Sequence, residues 1–361
     1  MNELASYSGA GVDVEREESG LQRLIRRVVG TWPENPGLGA VQLPVGYFAN
    51  VVDMGGVGLA ITMDGVGSKV LVAQMLNRYD TVGIDCVAMN VNDLLCVGAK
   101  PISLVDYIAV QEADPEILDA LARGLCEGAR QAGVSIPGGE IAQMRDVVKG
   151  AREGTGFDLA AAAVGLVPLD RILVGQDTQE GDVVIGVESN GIHSNGLTLA
   201  RQVLFERGGH GVDAHLPGLN GSLGDELLRP TSIYVPEILH VLNEGLGVKA
   251  LIHVTGDGFL NLARVAAETG FEIDWLPPPP PIFRLVQEQG ALEDAEMYRV
   301  FNMGIGFCIV AQPADEERIV AIVAQHGKTA HRIGHAVHDN ERRVSIQPVG
   351  LISQGKRFVK K

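Results

Sequence analysis

The chain has 361 residues, of which 46% are hydrophobic and 5% aromatic, and 46 are glycine. This composition is typical of a globular protein with an aliphatic core, and the length favours two domains. The formal net charge of −16 argues against partners such as nucleic acid or an anionic membrane, because both require basic patches. The first 19 residues are too polar and acidic for a signal peptide, and no apolar run is long enough to cross a bilayer.

The cysteine pattern indicates a reducing compartment, so we expect a cytoplasmic protein. No two of the four cysteines form a C-x-x-C pair, and each lies in an apolar pattern. We therefore predict four buried, free thiols rather than disulfides or a metal site. They are Cys86, Cys96, Cys126 and Cys308.

The first predicted elements are a helix and a strand. A glycine-rich segment at residues 7–13 leads into the helix, for which Asp13 is a plausible N-cap and which has an apolar stripe. After a loop at residues 31–43, the apolar run at 58–63 predicts a strand. The stripe consists of Leu21, Leu24, Ile25, Val28 and Val29.

The sequence Met-Asp-Gly-Val-Gly-Ser-Lys follows at residues 63–69 and predicts a strand, a glycine turn and a helix start. Gly65 and Gly67 let the backbone approach a bound group, and the free N–H groups of a helix start suit a phosphate. Lys69, after Ser68, adds a mobile positive charge, while Asp64 can hold a divalent cation. The Walker spacing is absent. Alone, the segment is more typical of a helix cap with a surface lysine.

The next predicted helix, at residues 81–99, has unusual polar residues. They are Asp85, Asn90, Asn92 and Asp93, without Glu, Lys or Arg. Asp and Asn are poor helix formers, and a solvated helix face normally carries long charged side chains. Short carboxylates and amides in an apolar helix indicate a partly buried site that uses oxygen ligands.

Asp106 repeats this pattern inside the predicted strand at residues 102–110. Together with Asp64 and Asp93 it forms a set of carboxylates at the ends of packed elements. Mg²⁺ holding a nucleotide phosphate is the natural use of such a set. The alternative is a network of caps and buried hydrogen bonds, and for Asp85 the two interpretations are equally supported.

A further carboxylate follows a short strand-like segment. Gly138 and Gly139 precede Glu140, which we add to the metal set, although an ordinary turn is the alternative. Residues 141–156 are polar and bounded by glycine, which predicts a mobile surface loop over the site. A buried strand at 158–167 ends the first half. We therefore predict an N-terminal domain at 1–168 and a C-terminal domain at 169–361.

The second half alternates strands and helices and contains two glycine-rich turns, each before a predicted helix, which suit a phosphorylated substrate. His193 in the first turn can donate a proton or a hydrogen bond, although a lone turn histidine is often incidental. His253, before the second turn, is more typical of an incidental residue. The turns contain His193, Ser194, Asn195 and Gly196, and Thr255, Gly256 and Gly258.

Two later segments carry little functional signal. Five prolines at residues 277–281 predict a rigid polyproline connection rather than a ligand for a partner. The basic residues at the C-terminus indicate a solvated tail rather than a binding patch. They are Lys356, Arg357, Lys360 and Lys361.

Several of these motifs occur in the same order in one known family. The chain resembles the AIR synthase family of purine biosynthesis from residue 7 to about residue 349. The resemblance implies an α/β (α+β) fold of two domains. An N-terminal mixed sheet with helices would pair into a β-barrel across a homodimer, and an α/β domain would follow. The segments that carry it are 7–13, 63–69, 83–93, 138–140, 193–196, 230–235 and 296–306.

The resemblance also implies an enzyme that uses ATP and Mg²⁺ to cyclise formylglycinamidine ribonucleotide to 5-aminoimidazole ribonucleotide, releasing ADP and phosphate. Asp64, Asp93 and Glu140 would hold the metal, and Lys69 would neutralise phosphate charge. The catalytic residues would be His193, Asp93 and Lys69. The nucleotide site would comprise Asp64, Gly65, Gly67, Ser68, Lys69, Asp106, Gly138, Gly139 and Glu140.

One departure from the family pattern leaves alternatives open. After Gly-Gly-Glu the family usually continues Thr-Ala-Glu-Met-Pro-Gly, whereas this chain has Ile-Ala-Gln-Met-Arg-Asp at residues 141–146. Another substrate within the superfamily, or a nucleotide-binding paralogue without activity, would account for such a change. Selenophosphate synthetase usually needs an N-terminal Cys, and no cysteine precedes Cys86 here. The C-terminal Cys tail of the hydrogenase maturation factor is also absent.

Overall fold

The computed structural model describes residues 14–361, with side-chain environments from residue 19 onward. The predicted glycine-rich segment at residues 7–13 lies outside the described residues. Helix α1 spans Val14–Val29, as its apolar spacing predicts. Its stripe does not pack on the core, since Leu21, Leu24 and Val28 remain exposed.

The first sheet has five strands in the order β1-β2-β5-β3-β4. All neighbouring pairs are antiparallel except β3 and β4, which are parallel. Strand β4 therefore runs alongside the C-terminal half of β3, from Gly139 beside Asp106 to Gln143 beside Val110. The strands are β1 (Asn50–Asp53), β2 (Val57–Gly65), β3 (Lys100–Val110), β4 (Gly139–Gln143) and β5 (Phe157–Pro168).

Helices cover one face of this sheet and leave the other open. Helix α3 (Val82–Leu95) lies on strands β2, β3 and β5, with α2 (Lys69–Leu76) and α4 (Pro115–Ala132) beside it. Since side chains alternate along a strand, Ala60 is buried under the helices while its neighbour Ile61 is 40% exposed. The open face is apolar over most of its length. It includes Val57, Ile61, Met63, Ile102, Val105, Tyr107 and Leu166.

The second sheet has eight strands in the order β13-β12-β11-β8-β10-β6-β9-β7. It begins at β6, 15 positions after β5 ends at Pro168. The division into domains at residues 168 and 169 is our interpretation of this change of sheet. The strands are β6 (Val183–Glu188), β7 (Val248–His253), β8 (Thr269–Ile273), β9 (Ile305–Ala311), β10 (Ala330–His338), β11 (Val344–Ile346), β12 (Leu351–Gln354) and β13 (Arg357–Lys360).

Six α-helices are described in the second half, and a π-helix, Gln202–Arg207, continues the first of them. Helix α9 ends at Val300, and strand β9 follows from Ile305. The five prolines end where α8 begins, at Pro281, which fits the first position of a helix. The helices are α5 (Leu197–Arg201), α6 (Leu223–Leu227), α7 (Val235–Asn243), α8 (Pro281–Gly290), α9 (Asp294–Val300) and α10 (Glu316–Gln325).

Two predictions outside the site are corrected by the structure. Cys86, Cys96 and Cys308 are buried and free, but Cys126 is exposed, because it lies beside the buried face of α4 rather than on it. The predicted basic tail is ordered as strands β12 and β13, with Arg357 and Lys360 on the edge strand, where charge discourages edge pairing. As the sequence predicts, no helix among residues 14–361 is long and apolar enough to cross a membrane.

Residues 141–156 do not form the predicted loop throughout. The first three of them extend β4 beside β3. The remainder folds back on the body of the domain. Gln74 Oε1 accepts from the N–H of Ala151 at 2.6 Å, and Gln111 Oε1 accepts from the N–H of Gly154 at 3.1 Å.

Candidate active site between the two sheets

Strand register places two of the predicted carboxylates in one row under helix α3. Three register pairs form this row. Asp64 of β2 lies beside Ala161 of β5, Ala161 lies beside Asp106 of β3, and Asp106 lies beside Gly139 of β4. A Cβ atom at Gly139 would lie 2.5 Å from Asp106 Oδ1. A side chain at this position would displace the carboxylate of Asp106, which lies over Gly139.

Asn90 of α3 fixes the strand end that carries Asp64. The side-chain oxygen of Asn90 accepts from the N–H of Asp64 at 3.0 Å, and its amide donates to the carbonyl of Asp64 at 3.1 Å. The amide also donates to the carbonyl of Cys86 at 2.9 Å. Asn90 therefore joins helix to strand, and its side chain is engaged with the backbone.

Asp93 lies one turn further along α3 and contacts a residue of the second half. Its Oδ1 is 2.8 Å from Nδ1 of His253 at the end of β7. The histidine is 1% exposed and the carboxylate 14%. The other ring nitrogen of His253, Nε2, is buried without a partner in the described chain. Burial raises the pKa of the Asp64 carboxyl to about 6, and the nearby charge of Asp93 acts in the same direction.

Glu140 does not join these carboxylates in the single chain. It pairs in register with Tyr107 on the open face of the sheet and is exposed. Because Gly139 takes the inward position, strand alternation turns Glu140 outward. The predicted metal set of Asp64, Asp93 and Glu140 is therefore not assembled within one chain. Among the described residues, no group of three or more His, Cys, Asp or Glu side chains has metal-binding geometry.

Lys69 is not the mobile surface charge that the sequence predicts. Its side chain is fully buried, with Nζ 2.8 Å from Asp85 Oδ1 and 2.6 Å from the carbonyl oxygen of Arg229. Burial lowers the pKa of Lys69, and Asp85 opposes that shift. In this structure the ammonium is already paired inside the protein, and contact between Lys69 and a phosphate stays a prediction.

Asp85 accepts hydrogen bonds from several segments of the protein and is not placed as a metal ligand. Besides Lys69, its Oδ1 accepts from the N–H of Thr231 at 2.7 Å, from the Thr231 hydroxyl at 2.5 Å and from the Ser194 hydroxyl at 3.2 Å. Asn92 makes a similar connection, because its amide donates to the carbonyl of Ser232 at 2.9 Å. The hydrogen-bond-network interpretation therefore holds for these two residues.

The glycine turn at residues 65–68 meets the second half of the chain. Gly67 has a φ of 69°, and α2 begins after Ser68, which makes no side-chain capping bond. Instead, the hydroxyl of Ser68 lies 2.8 Å from that of Thr198 in α5. The predicted order of strand, turn and helix start is confirmed, and the turn faces the first glycine-rich turn of the second half.

His193 lies in that first glycine-rich turn, with a φ of 67° and only 3% of its surface exposed. Its Nε2 accepts a long hydrogen bond, 3.4 Å, from the N–H of Ser232, and its Nδ1 is buried without a partner in the described chain. Burial, then His253 and Lys69, hold the pKa of His193 well below its usual value. Burial therefore favours the neutral ring, and the N–H donated to Nε2 favours a proton on Nδ1.

Gly306 of β9 makes room for this histidine. A Cβ atom there would lie 2.6 Å from Cε1 of His193 and would overlap the hydroxyl of Tyr234. The ring of Tyr234 lies 5.3 Å from that of Phe307, which in turn lies 6.1 Å from that of His253. An aromatic layer thus separates and supports the two histidines.

No side chain caps the helix that follows either glycine-rich turn. Gly196, with a φ of 83°, is the N-cap of α5, whereas the Ser194 hydroxyl bonds to Asp85 and the Asn195 amide points at Met89 of α3. The second turn starts a 3-10 helix, Gly258–Arg264, rather than an α-helix.

The second glycine-rich turn lies beside the first. A Cβ atom at Gly256 would be 3.3 Å from Oδ1 of Asn195. The N–H of Gly258 donates to the carbonyl of Thr255 at 2.9 Å, which closes the turn. The two turns therefore meet beside α3, close to the Asp93–His253 contact.

The structure adds residues that the sequence does not assign to the site. His253 is the clearest, since its proximity to Asp93 depends on a contact across 160 positions. The only sequence feature that points to a role for His253 in the site is its position just before the second glycine-rich turn. Asn90 is unusual in its helix by residue type alone, but its backbone contacts are visible only in the fold.

Two surface clefts lie away from these residues. One of about 450 Å³ is lined by Arg342, Arg343 and the β12–β13 turn, and one of about 440 Å³ by Arg78 and the start of α4. Neither cleft contains a carboxylate of the central row or either site histidine. We therefore locate the candidate site from the polar groups that converge between the two sheets, because neither cleft contains them.

Comparison with known proteins gives matches over both halves. Residues 47–167 match the family described as AIR synthase related protein, N-terminal domain, and residues 179–347 match its C-terminal domain. A relative from Methanothermobacter thermautotrophicus named phosphoribosylformylglycinamidine cyclo-ligase is 46% identical, covering 95% of this chain and 97% of its own. A Thermococcus kodakarensis relative with the same name is 45% identical, covering 90% and 93%.

Solved structures share the fold at lower identity. The structure titled AaThiL complexed with AMPPCP and TMP has a TM-score of 0.61 and 14% identity, covering 93% of this chain and 95% of that one. That of T. maritima PurL complexed with ADP has a TM-score of 0.54 and 16% identity, covering 85% and 44%. These likenesses support the two-sheet architecture.

Proposed function

We infer the function from one premise: the chain belongs to the AIR synthase related family. It is an ATP-dependent cyclo-ligase that converts formylglycinamidine ribonucleotide to 5-aminoimidazole ribonucleotide in purine biosynthesis. The observation that carries this conclusion is identity of 46% to a cyclo-ligase across 95% of the chain. The polar residues that converge between the two halves provide a site for it.

The reaction forms one ring bond and uses one ATP. The formyl amide oxygen attacks the γ-phosphorus of ATP, and ADP leaves. The amidine nitrogen then attacks the activated carbon, the carbon–oxygen bond breaks with release of phosphate, and loss of a proton completes the imidazole. The requirements on the protein are positioning of the two substrates and stabilisation of charge on transferring oxygens.

Asp64 and Asp93 are the residues that we propose to hold Mg²⁺ with the ATP phosphates. The donor set fits the ion, because Mg²⁺ prefers carboxylate oxygens and keeps part of its water shell. Burial raises the pKa of the Asp64 carboxyl and the neighbouring Asp93 raises it further, so a cation beside both carboxylates would be stabilising. A bound Mg²⁺ would neutralise phosphate charge. Asn90 would hold the backbone of Asp64, and His253 would orient Asp93.

Asp106 remains in the proposed nucleotide site, since it lies in the same row as Asp64. Burial raises the pKa of its carboxyl. The turn at Gly65, Gly67 and Ser68 would lie against the phosphates. Glu140, which follows Gly138 and Gly139, could contribute its carboxylate to the nucleotide site only from the open face of the sheet.

The substrate side of the proposed site is formed by the two glycine-rich turns of the second half. The turns at 193–196 and 255–258 would hold the ribose 5-phosphate through backbone N–H groups. His193 would donate its Nδ1 proton to the amide oxygen as charge develops there. Because that nitrogen is covered in the single chain, substrate binding would have to shift the turn that carries it.

The function can be tested by following ATP hydrolysis and imidazole formation in the same reaction. We expect ADP release to depend on formylglycinamidine ribonucleotide, with one 5-aminoimidazole ribonucleotide formed per ATP. Thiamine monophosphate serves as the control substrate and should not support turnover. Thermal stabilisation by ATP without turnover would instead indicate a nucleotide-binding paralogue, and turnover with the control would indicate another phosphoryl-transfer activity.

We propose that two chains pair through the open faces of their first sheets and so form a β-barrel. The support is the apolar exposed set on β2, β3 and β5, since a monomer rarely leaves a contiguous patch of that kind in water. Helix α1 also exposes an apolar stripe. Glu140 lies on the same open face and would be brought close to the partner chain.

Substitution of Ile61 tests this pairing. Ile61→Asp should yield a monomer in sedimentation experiments at micromolar concentration, because it places a charge in the middle of the proposed interface. Val147→Asp is the control, since Val147 is exposed in the loop after β4 and should leave a dimer. A stable monomer of the unmodified chain would rule the dimer out.

We also propose a cytoplasmic location and no nucleic-acid partner. The four cysteines are all free, which suits a reducing compartment. A net charge of −16 opposes binding to phosphate backbones. The phosphorylated substrate is small, and the two glycine-rich turns suffice for its charge.

A further inference from the structure

The buried pair of Lys69 and Asp85 sits where the two halves of the chain meet. Both side chains are fully buried, and both come from the first half. The remaining side-chain partners of Asp85 Oδ1 come from the second half, and they are Ser194 and Thr231. Oδ2 is buried without a partner in the described chain. Asp85 Oδ1 therefore accepts four hydrogen bonds, three of them from the second half of the chain.

Stability alone does not account for this arrangement. Burying two charges costs several kcal/mol per ion by general estimates, and a packed apolar pair of similar size is often as stable or more so. A buried ion pair does fix geometry, because its partners must keep their hydrogen bonds. The pair of Lys69 and Asp85 therefore fixes the arrangement of the segments that it joins.

The segments bonded to Asp85 are those that hold His193. Ser194 follows the histidine directly, and its hydroxyl bonds to Asp85. Thr231 precedes Ser232, whose N–H donates to Nε2 of His193. The chain beside the histidine and the donor to its ring are therefore both anchored on one carboxylate.

We propose that Lys69 and Asp85 are positioning residues that hold His193 in one orientation and in the neutral form protonated on Nδ1. The ammonium of Lys69 pairs with the carboxylate of Asp85 in the interior. Asp85 then ties the turn at His193 to the Thr231–Ser232 segment. The effect on turnover rests on the proposed function, whereas the effect on the histidine ring does not.

Two double variants separate the effect of the buried charges of Lys69 and Asp85 from the effect of the hydrogen-bond acceptor at Oδ1. Lys69→Met with Asp85→Asn removes both charges but keeps an oxygen at the Oδ1 position. Lys69→Met with Asp85→Leu removes both charges and the oxygen. Both avoid leaving a single buried charge, which is the most destabilising outcome for such a pair.

The direct readout is the ¹⁵N spectrum of the histidine rings in the full chain. His193→Gln assigns the signals, and the chemical shifts of the two ring nitrogens report which one is protonated. The Asn variant should keep the Nδ1-protonated form and a kcat within about tenfold of the unmodified chain. The Leu variant should show mixed forms and a kcat lower by about a hundredfold, the scale of a small misplacement of a reacting group.

Michaelis constants and a control variant complete the test. KM for Mg–ATP should stay unchanged in both double variants, because neither residue contacts the nucleotide. Arg78→Met is the control: it breaks another ion pair between the halves, with Asp225 at 2.6 Å, but leaves Asp85 untouched. It should not alter the His193 signals.

Three results would overturn the proposal. The first is an unchanged His193 spectrum in the folded Leu variant, which would make the pair structural only. The second is loss of ATP binding in the Asn variant, which would return Lys69 to the nucleotide site. The third is a shift of the His193 signals in Arg78→Met as large as in the Leu variant.

If the Leu variant does not fold, Thr231→Val replaces it. This substitution removes one hydroxyl donor to Asp85 and keeps the charges. It should produce a smaller change of the same kind in the His193 spectrum. An unchanged spectrum in folded Thr231→Val would contradict the proposal. A chain without cyclisation activity would still give these spectra, so failure of the function and failure of the positioning role are distinguishable.

Discussion

Asp93→Asn is expected to lower turnover by about a thousandfold, the upper range for loss of one electrostatic group in a closed site. Asparagine keeps the shape and can still accept a hydrogen bond from Nδ1 of His253, so the fold should survive. The carboxylate charge next to Asp64 is lost, and with it the tight site for Mg²⁺. The measurements are turnover across a Mg²⁺ titration and the unfolding temperature.

Asp170→Asn is the matched control for this variant. Asp170 lies just after the first sheet ends and away from the central row, so its neutralisation changes the net charge equally without touching the site. Its turnover should match that of the unmodified chain. Near-normal activity of Asp93→Asn at low Mg²⁺ would reassign Asp93 as a structural partner of His253.

His193→Ala is expected to cut turnover by roughly a hundredfold or more, with little change in ATP affinity. A neutral donor aimed at developing charge contributes about 3 kcal/mol on the scale of oxyanion-type donors. The N–H donated to Nε2 favours a proton on Nδ1 for this role, and His193 lies far from Asp64 in the sequence. Steady-state cyclisation and calorimetric titration with Mg–ATP measure the two effects separately.

The control for His193 is His338→Ala. His338 is exposed at the end of β10, and its loss should affect neither quantity. A large loss of ATP binding in His193→Ala with unchanged chemistry would move the residue to the nucleotide site. Unchanged turnover and affinity would leave it as an incidental turn histidine.

Local patterns are sufficient to predict several parts of the site. The order of apolar run, aspartate, glycines and Ser-Lys places Asp64 at the end of β2 and the start of α2 at Lys69, as observed. The absence of long charged residues in residues 81–99 correctly marks α3 as buried. These inferences succeed because they depend on residues within one or two turns of each other.

The roles of the polar residues on α3 cannot be separated from sequence. Asp85 and Asp93 lie in similar surroundings along the helix, yet one receives donors from 109 and 146 positions away and the other contacts His253. Only the packing of the second half against α3 distinguishes them. The same packing buries Lys69, which the glycine turn alone would leave in solvent.

Glu140 shows a different limit of prediction from sequence. The glycines before it favour a strand end and a turn, whereas the chain there forms strand β4 parallel to β3. Once a strand is assumed, alternation puts Gly139 inward and Glu140 outward. The error therefore lies in the element rather than in the chemistry of the residue, and a partner chain on the open face could still use this carboxylate.

The most direct test of the account follows one oxygen atom through the reaction. Formylglycinamidine ribonucleotide carrying ¹⁸O in the formyl amide is turned over with Mg–ATP, and the released phosphate is analysed by mass spectrometry. The account predicts one ¹⁸O atom in the phosphate for each 5-aminoimidazole ribonucleotide formed, because ATP phosphorylates that oxygen before the ring closes. Phosphate without the label, or label released into water while the ring forms, would contradict it.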